Sequence, residues 1–316
     1  MDRYRFIETG FDPAATGPLE ADEGAFRVRG LLTDDEYRHL ATLLAVRPDA
    51  WLWMEDRSTE VEWLAHFPGL RRLRITSMRL ESWSGLRHIA DTLEHLEMGD
   101  GTLKRVSIAP MGDLAGLRSL YLIGPVKGVE ALARLTALEE LCLRSVTLPD
   151  LSLLVGLPRL HSLRLLLGGT AELGLLPELR ALDELELWRI RGMRDVSVLG
   201  SSQGLVKLTL QSMSAVTMLP SLAGHSKLSR LVLDTMRGIT DLRPVADAPH
   251  LEELLLIDMP QLSATDLLPL VGHPTLLQAA WGFGSERKNV EAWDLLPLGD
   301  KPFNYDVYKA REARRR

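Results

Sequence analysis

One six-residue phrase recurs along most of this chain, with leucine or a similar apolar residue at its first, fourth and sixth positions. Ten copies begin at Leu70, Leu93, Leu117, Leu138, Leu160, Leu182, Leu205, Leu228, Leu251 and Leu276, the last of them degraded to LLQAAW. The fourth positions run from Leu73 to Ala279 in nine steps, which gives a mean period of about 23 residues. An eleventh, imperfect copy precedes them, with Leu52 and Met54 at its fourth and sixth positions. A period of this length predicts a stack of similar units.

The composition agrees with repetition and excludes several protein classes. Leucine accounts for 64 of 316 residues, while the apolar total of 46% is ordinary. The single cysteine, Cys142, excludes an internal disulfide framework and a four-cysteine zinc site, and it is typical of a reducing compartment. The first residues, MDRYRFIETGFD, lack the apolar region of a signal peptide, and no stretch has the roughly 18 apolar residues of a membrane span. We therefore expect a cytoplasmic protein.

Within each phrase, apolar residues alternate at the fourth and sixth positions, which is the periodicity of a strand. Between phrases, apolar residues recur every three, as in Leu151, Leu154 and Leu157, and this spacing favours 3₁₀ or extended segments over α-helices. The pattern predicts an α/β leucine-rich repeat solenoid, a horseshoe or arc with a parallel concave sheet and a 3₁₀ or extended convex side. About 10 or 11 repeats over residues 49–283 would form one stack, because no single coil buries its own apolar face.

The phrase LxxLxL with an acidic entry to the convex side, as in TDLRPVADAPHLEELLL from Thr240, resembles the short-period repeats of the bacterial internalin class. This resemblance implies the same solenoid fold and a binding surface, without naming a target. The chain departs from the class at the ninth repeat position, which usually carries asparagine. Here that position holds Met78, Gly101, Pro125, Val146, Gly168, Ile190, Met213, Met236 and Met259. We expect a hydrophobic turn core, with the turn amides bonded to neighbouring backbone or water.

Both ends of the repeat region have the features of caps. Residues 1–48 contain two predicted strands, Tyr4 to Ile7 and Phe26 to Arg29, and a helix that begins with a capping box at Thr33 and Glu36. Residues 284–316 contain a predicted helix around 289–296 and a basic tail, KAREARRR. The acidic loop between the two N-terminal strands is a candidate cover for the concave face.

Three aspartates, Asp150, Asp195 and Asp241, each stand ten residues before the leucine that opens a repeat. The favoured interpretation is capping of the convex turn, and stacked calcium ligands are the alternative. The histidines His225, His250 and His273 are too scattered for a metal site, so no metal and no cofactor are predicted.

Because the leucines point inward, the third, fifth and seventh positions of each phrase face outward along the concave sheet. The first repeats place aromatic and arginine residues on this face, the types enriched at binding hot spots. The first five repeats carry a net charge of +2 on these positions and the last five carry −2, a polarity that would orient a partner or that reflects cross-strand ion pairs. The candidate binding residues are Trp51, Trp53, Arg72, Arg74, His95, Glu97, Tyr121, Arg144, Arg164, Glu186 and Trp188. For Trp51 and Trp53, packing under the N-terminal cap is a rival explanation.

These features favour a non-enzymatic module that binds a protein or peptide partner on the concave sheet. Nucleic acid is disfavoured because the net charge is −6, and no membrane contact is expected. The alternative is an enzyme with its site near His95, Tyr121 and Arg164, although no catalytic motif supports it. A walled pocket over Tyr121 would favour the enzyme, and an open trough would favour the binding module.

Overall fold

The computed structural model describes residues 3–77, 79–98 and 106–298. Their contacts divide the chain into two compact units. The first unit comprises the described residues up to 147 together with 156–160, and the second comprises 148–155 and the described residues from 161 onward. This division falls inside the repeat region predicted at 49–283, so the domain boundaries drawn from the sequence remain a prediction.

The first unit is built on seven parallel strands with helical turns between them. The strands, in order across the sheet, are β1 (Arg3–Glu8), β2 (Glu23–Arg29), β3 (Trp51–Asp56), β4 (Arg72–Ser77), β5 (His95–Met98), β7 (Ser119–Ile123) and β9 (Glu140–Arg144). Two short strands, β6 (Val106–Ser107) and β8 (Val126–Lys127), form a separate parallel pair. The connections contain α1 (Asp34–Val46) and 3₁₀ turns at Glu62–His66, Ser84–Ile89, Ala109–Asp113 and Val129–Arg134.

The second unit repeats the same plan with six parallel strands. These are β10 (Ser162–Leu166), β11 (Glu184–Trp188), β12 (Lys207–Gln211), β13 (Arg230–Asp234), β14 (Glu253–Ile257) and β15 (Gln278–Trp281). The connections contain α2 (Ser152–Val155), α3 (Arg243–Ala246) and 3₁₀ turns at Leu176–Glu178, Ser197–Ser201 and Ala264–Leu270. After β15 the described chain ends with α4 (Glu286–Leu295).

Each copy of the repeated phrase forms a strand, and the residues at its fourth and sixth positions are buried in both units. Leu73 and Ile75 in β4 and Leu208 and Leu210 in β12 are no more than 2% exposed. Neighbouring strands pair in register, so these leucines stack on one another from coil to coil. The prediction of a leucine-rich repeat solenoid with parallel strands and 3₁₀ turns on the opposite side is confirmed.

The N-terminal strands belong to the same sheet as the repeats. β1 and β2 pair in parallel, and β2 pairs in parallel with β3. Helix α1 begins at the predicted capping box, because the Thr33 side chain accepts from the Glu36 amide while the Glu36 side chain accepts from the Thr33 amide. The buried stripe of α1 includes Tyr37, which packs against the rings of Trp63 and Phe67. The N-terminal segment thus lengthens the sheet as well as covering its first coil.

The strands end in a repeated left-handed turn. The eighth repeat positions have φ between 47° and 58° at Ser145, Leu167, Arg189, Ser212, Thr235 and Asp258, and Gly124 occupies the same position with φ of 83°. At five of these seven positions the backbone N–H donates to the carbonyl of the seventh residue of the next coil, for example Ser212 to Asp234 (2.8 Å) and Thr235 to Ile257 (2.7 Å). This backbone bond links successive coils without an asparagine side chain at the ninth position.

The ninth positions behave as predicted where the structure describes them, with one exception. Val146, Ile190, Met213, Met236 and Met259 are all buried. The backbone amide of Met236 also donates to the sulfur of Met259 (3.2 Å), so the methionine stack accepts one turn amide directly. Met78 and Gly101 lie outside the described residues.

The exception is Pro125, which is exposed. It directly precedes β8, whose pairing with β6 draws the chain away from the course of the other turns. The expectation of a buried turn residue is therefore wrong at this position.

The three aspartates at the convex entry cap their turns, as predicted. A carboxylate oxygen of Asp150, Asp195 and Asp241 accepts the backbone amide two residues later, at 2.7–2.9 Å. Hydrogen bonds from both the side chain and the backbone amide of that later residue hold the pKa of each aspartate below its usual value, with the side-chain bond the larger cause for Asp150 and Asp241 and the amide for Asp195. Within the described residues, no three His, Cys, Asp or Glu side chains lie close enough to hold a metal ion, so calcium binding gains no support.

Ser145→Gly is expected to raise the free energy of unfolding by about 0.5–1 kcal/mol, because Ser145 is an exposed residue held at φ of 58° and glycine adopts this region without a Cβ clash. Ser145→Val should lower it by about 1 kcal/mol, since a branched Cβ disfavours left-handed backbone. Urea denaturation of the full chain measures both values. Equal stability of the two variants would mean that the turn does not hold the left-handed conformation in solution.

His225 is expected to make stability depend on pH. The side chain is fully buried, and burial lowers its pKa. Below about pH 6.5, His225 binds a proton in the unfolded chain but not in the folded one. As the pH falls, the free energy of unfolding therefore decreases by up to about 1.4 kcal/mol per pH unit until the folded pKa is reached. Urea midpoints at pH 7.5 and 5.5 should differ less for His225→Gln than for the wild type, whereas the exposed control His250→Gln should keep the wild-type difference. An unchanged difference in His225→Gln would contradict this assignment.

Candidate functional site

The outward side of the first unit's sheet carries a continuous group of aromatic and arginine side chains, here called the aromatic–arginine patch. It consists of Tyr4, Phe6, Arg27, Trp51, Trp53, Arg72 and Arg74. The strand register places these residues on one face, because alternate residues point to the same side and Phe6, Arg27, Trp53 and Arg74 lie opposite one another on successive strands. Strands β1 to β4 therefore present the patch as a row.

Trp53 lies at the centre of the patch, between two guanidinium groups. The central carbon of Arg27 is 4.0 Å from the centroid of the Trp53 ring, and that of Arg74 is 4.3 Å from it. The indole N–H donates to the Thr76 hydroxyl (3.3 Å). A cation–π contact contributes about 0.5–2 kcal/mol depending on exposure, so the two arginines hold the half-buried ring in place.

Arg27, on β2, is itself fixed by partners on both neighbouring strands, β1 and β3. It donates to a carboxylate oxygen of Glu55 (2.6 Å) and to the Tyr4 hydroxyl (2.8 Å). The hydrogen bond to Glu55 is the largest cause of the raised pKa of Arg27, and the one to Tyr4 adds to it. The guanidinium also lies 5.0 Å from the centroid of Tyr4 and 5.3 Å from that of Phe6. The patch is thus pre-organised, with its charge compensated on one side and its aromatic rings left partly exposed.

The second group in the patch is Trp51, Arg72 and the neighbouring His95. The central carbon of Arg72 lies 6.0 Å from the ring centroid of Trp51, and the His95 ring is also 6.0 Å from that of Trp51. Burial and the adjacent positive charge of Arg72 lower the pKa of His95, which favours the neutral imidazole. Arg72 makes no ion pair with a carboxylate of the described residues, unlike Arg74, which pairs with Glu97 at 3.5 Å.

Tyr4, Phe6 and Arg27 were missed by the sequence analysis. The alternation in RYRFIE and FRVR predicts strands there, but no repeat phrase ties those strands to the register of β3. In the structure Tyr4 and Phe6 are 39% and 40% exposed and extend the patch to the edge of the sheet. The rival explanation holds in part for Trp53, which packs against Tyr4 and Arg27 of the N-terminal cap, side by side on the outward face of the sheet. The rings that contact Tyr37 of α1 face to face are those of Trp63 and His66.

The other predicted residues of the first unit lie further along the same face. Tyr121 in β7 is opposite Glu97 in β5, and on its other side it faces Cys142 in β9, which is buried. Arg144 ends β9, where its backbone carbonyl accepts the Gly124 amide (2.9 Å). The predicted residues of this unit thus share one face, with the two tryptophans on β3 beside the two arginines of β4.

Three predicted residues, Arg164, Glu186 and Trp188, belong to the second unit. Arg164 donates to Glu186 across two strands (2.7 Å), and Trp188 lies opposite Gln211. The last strands of this unit differ from the expectation of an exposed face. Val232, Leu255 and Ile257 occupy outward positions but are buried, and they pack with one another and with Ala280.

Cross-strand ion pairs account for much of the charge on the outward positions. Besides Arg74 with Glu97, the second unit pairs Arg164 with Glu186, Lys207 with Glu184, and Arg230 with Glu253. Each cation of these pairs has its carboxylate on the adjacent strand. Because the opposite charges of each pair lie close together, they contribute little to the long-range charge polarity expected from the sequence. The main feature of the outward sheet face is therefore short-range contact with aromatic rings.

The geometry adds no support to the enzyme alternative. Two surface cavities of about 240 and 290 Å³ are formed by residues of the second unit at 176–205 and 167–212, and neither is lined by His95, Tyr121 or Arg164. The acidic N-terminal loop is held on the other side of the sheet, where Arg5 donates to the carbonyls of Gly17 and Pro18 (both 2.8 Å). Since Arg5 and the patch residue Tyr4 alternate along β1, this loop does not cover the patch.

Comparisons with known proteins place the fold. No protein-family model matches this chain, and no curated protein matches its sequence. A leucine-rich repeat protein of Leptospira interrogans superimposes with a TM-score of 0.61 at 16% identity, covering 88% of this chain and 76% of that one. The fold is that of a leucine-rich repeat protein. An internalin of Listeria monocytogenes, InlF, gives a TM-score of 0.55 at 18% identity over 81% of each chain, which agrees with the resemblance noted in the repeats.

In the described part of this leucine-rich repeat protein, no helix has the length and apolar character needed to span a bilayer. The identities to the solved structures are low, so they establish the fold and leave the choice of partner to the surface of this chain.

Arg72→Gln is expected to raise the pKa of His95, because the substitution removes a positive charge that disfavours the imidazolium while keeping a side chain of similar length. Histidine NMR titration of the full chain measures this shift. Arg159→Gln, which removes an exposed arginine away from the patch, should leave the His95 pKa unchanged. The same His95 pKa in wild type and Arg72→Gln would show that the two side chains do not approach each other in solution.

Proposed function

We propose that this protein is a non-enzymatic binding module that holds a protein or peptide partner on the outward sheet face of its first unit. The aromatic–arginine patch is the anchor of that interaction. Repeat solenoids present extended sheet surfaces that serve as binding platforms, and hot spots on such surfaces are enriched in tryptophan, tyrosine and arginine. A cytoplasmic location is part of the proposal, supported by the single cysteine, Cys142, a composition typical of a reducing compartment.

The observation that carries the proposal is the arrangement around Trp53. Its ring is stacked by Arg27 and Arg74 at 4.0 and 4.3 Å, and Tyr4 continues the aromatic surface with its ring centroid 5.8 Å from that of Trp53. A partner that covers these rings gains apolar burial without having to order them first, because the cation–π and hydrogen-bond contacts already fix them. Glu55 balances Arg27, so that guanidinium can be covered without being left uncompensated.

The charges of the patch favour a polypeptide over a nucleic acid. Arg27 and Arg74 already pair with Glu55 and Glu97, which would repel a phosphate backbone, and the whole chain has a net charge of −6. Arg72 stands in the patch without a carboxylate partner among the described residues. We therefore expect the partner to place a carboxylate near Arg72 and an apolar or aromatic side chain over Tyr4, Phe6 and Trp53.

The test uses substitutions that leave existing ion pairs intact. Arg72→Glu reverses a charge and breaks no ion pair, because Arg72 pairs with no carboxylate of the described residues. The double variant Tyr4→Ser, Phe6→Ser removes the two exposed rings at the edge of the sheet. Arg159→Glu is the matched control, an exposed charge reversal outside the patch. Wild type and all variants are used to capture proteins from source-cell lysate at low and moderate salt, and each protein lost by the patch variants is purified and titrated against every form by calorimetry.

The expected result is a purified partner whose Kd for each patch variant is at least about tenfold higher than its Kd for the wild type. Its Kd for Arg159→Glu should be within about twofold of the wild-type value. Weaker binding of Arg72→Glu should grow less marked as salt increases. The proposal is overturned if purified partners bind every variant with the wild-type Kd, or if the wild type retains no macromolecule at either salt concentration.

A further inference from the structure

The turn after β11 in the second unit carries three exposed arginines within six residues, Arg189, Arg191 and Arg194. None of them makes an ion pair with a carboxylate in the part of the chain that the structure describes. This differs from the turn after β13, where Arg237, at the same repeat position as Arg191, pairs with Asp258 at 3.0 Å. The turn therefore concentrates positive charge that the described chain does not compensate.

Two of these arginines line a surface cavity of about 290 Å³. Its walls are formed by Leu167, Arg189, Ile190, Arg191 and Ser212, so it combines two guanidinium groups and a hydroxyl with an apolar wall and contains no carboxylate. A cavity of this size is at the lower limit for small-molecule sites, and it fits a small anionic group rather than a whole nucleotide.

The backbone of the turn is held from both sides, so the arginines start from fixed positions. Arg189 is in the left-handed region with φ of 52°, and its amide donates to the carbonyl of Gln211 in the following coil (2.8 Å). The amide of Arg191 donates to the carbonyl of Gly168 in the preceding coil (2.8 Å). Because this backbone is ordered before a ligand arrives, binding would order only the two side chains.

The nearby carboxylates have other partners. Glu186 accepts from Arg164 at 2.7 Å, Asp195 accepts the Ser197 amide at 2.7 Å, and Asp234 accepts from Gln211 at 3.0 Å. An external anion would therefore meet two guanidinium groups in the cavity without displacing an ion pair observed there.

We propose that this cavity binds a phosphoryl group, either free phosphate or the phosphate of a monoester. The planar fork of arginine donates two parallel hydrogen bonds to phosphate oxygens, and a dianion is matched by the two guanidinium groups. The Ser212 hydroxyl supplies a further donor, and Leu167 offers an apolar contact for the organic part of an ester. The site lies in the second unit and is independent of the partner proposed for the aromatic–arginine patch.

The test is a phosphorus NMR titration of the full chain with inorganic phosphate and, separately, with phenyl phosphate, at constant ionic strength. Wild type should bind at least one of the two probes with a Kd of about 10 mM or tighter. Arg189→Gln with Arg191→Gln should weaken that binding by about tenfold or more, whereas Arg189→Lys with Arg191→Lys should weaken it less, since charge remains but the fork is lost. Binding should strengthen from pH 6 to pH 8, as phosphate becomes a dianion.

Arg159→Gln is the matched control, because it removes an exposed arginine that does not line the cavity, and it should bind within about twofold of wild type. Tighter binding of phenyl phosphate than of inorganic phosphate, reduced by Leu167→Ala, assigns the site to a monoester, and equal binding of the two probes assigns it to free phosphate. The proposal is overturned if wild type binds neither probe, or if the double glutamine variant binds both as wild type does. Circular dichroism of the glutamine variants establishes that a loss of binding is not a loss of fold.

Discussion

The rest of this structure depends on the backbone hydrogen bond that joins a strand-ending turn to the next coil, which is present at five of the seven left-handed turns described above. A coil of about 23 residues cannot enclose its own leucines, so each coil is stable only when it is stacked on a neighbour. The stacked leucines stabilise the coils by apolar burial, but burial does not fix how one coil is aligned with the next. The hydrogen bond from the N–H of the eighth repeat residue to the carbonyl of the seventh repeat residue in the next coil sets that register. Its left-handed φ aims the amide along the stack, and it does so at Ser212 and Thr235 without glycine or an asparagine ladder.

That register also decides how the outward face is arranged. Once the leucines align, every outward residue lies about 4.8 Å from its counterparts on the adjacent strands, so side chains in a row must suit one another. The first unit satisfies this requirement by placing Trp53 between Arg27 and Arg74, and the second does so with ion pairs such as Arg164 with Glu186. A binding surface on this fold is therefore a pre-assembled row, and the properties of one residue depend on its neighbours. His95 is an example, since Arg72 contributes to its lowered pKa.

Most of the repeat architecture could be predicted from the sequence, because the phrase has two independent periods. The alternation at Leu73 and Ile75 predicts a strand, and its recurrence every 23 residues or so predicts the parallel stack. The capping box at Thr33 and Glu36 likewise predicts where α1 begins, since both hydrogen bonds are local. The pairing of β1 and β2 with the repeats could not be predicted, because it depends on contacts distant in sequence with no phrase to align them.

The candidate site was harder to predict than the fold for the same reason. Trp51, Trp53, Arg72 and Arg74 could be placed on one face by counting along the repeat, but their contacts with Tyr4 and Arg27 follow from the pairing of the cap strands. The prediction that Val232 and Leu255 are exposed was wrong. Alternation along a strand predicts which face of the sheet a residue lies on, but it does not predict whether other side chains cover that face. Arg189 and Arg191 were not predicted as site residues, because they lie at the eighth and tenth repeat positions, just beyond the strand.

The left-handed turn also has an evolutionary consequence. The same conformation recurs with different side chains, since the position is occupied by glycine, serine, leucine, arginine, threonine and aspartate in the described coils, at the cost of some left-handed strain for every residue but glycine. Mutations there would alter the rim of the molecule while leaving the leucine core and its register intact. A lineage carrying this fold could therefore acquire, exchange or lose ligand contacts along that rim one residue at a time.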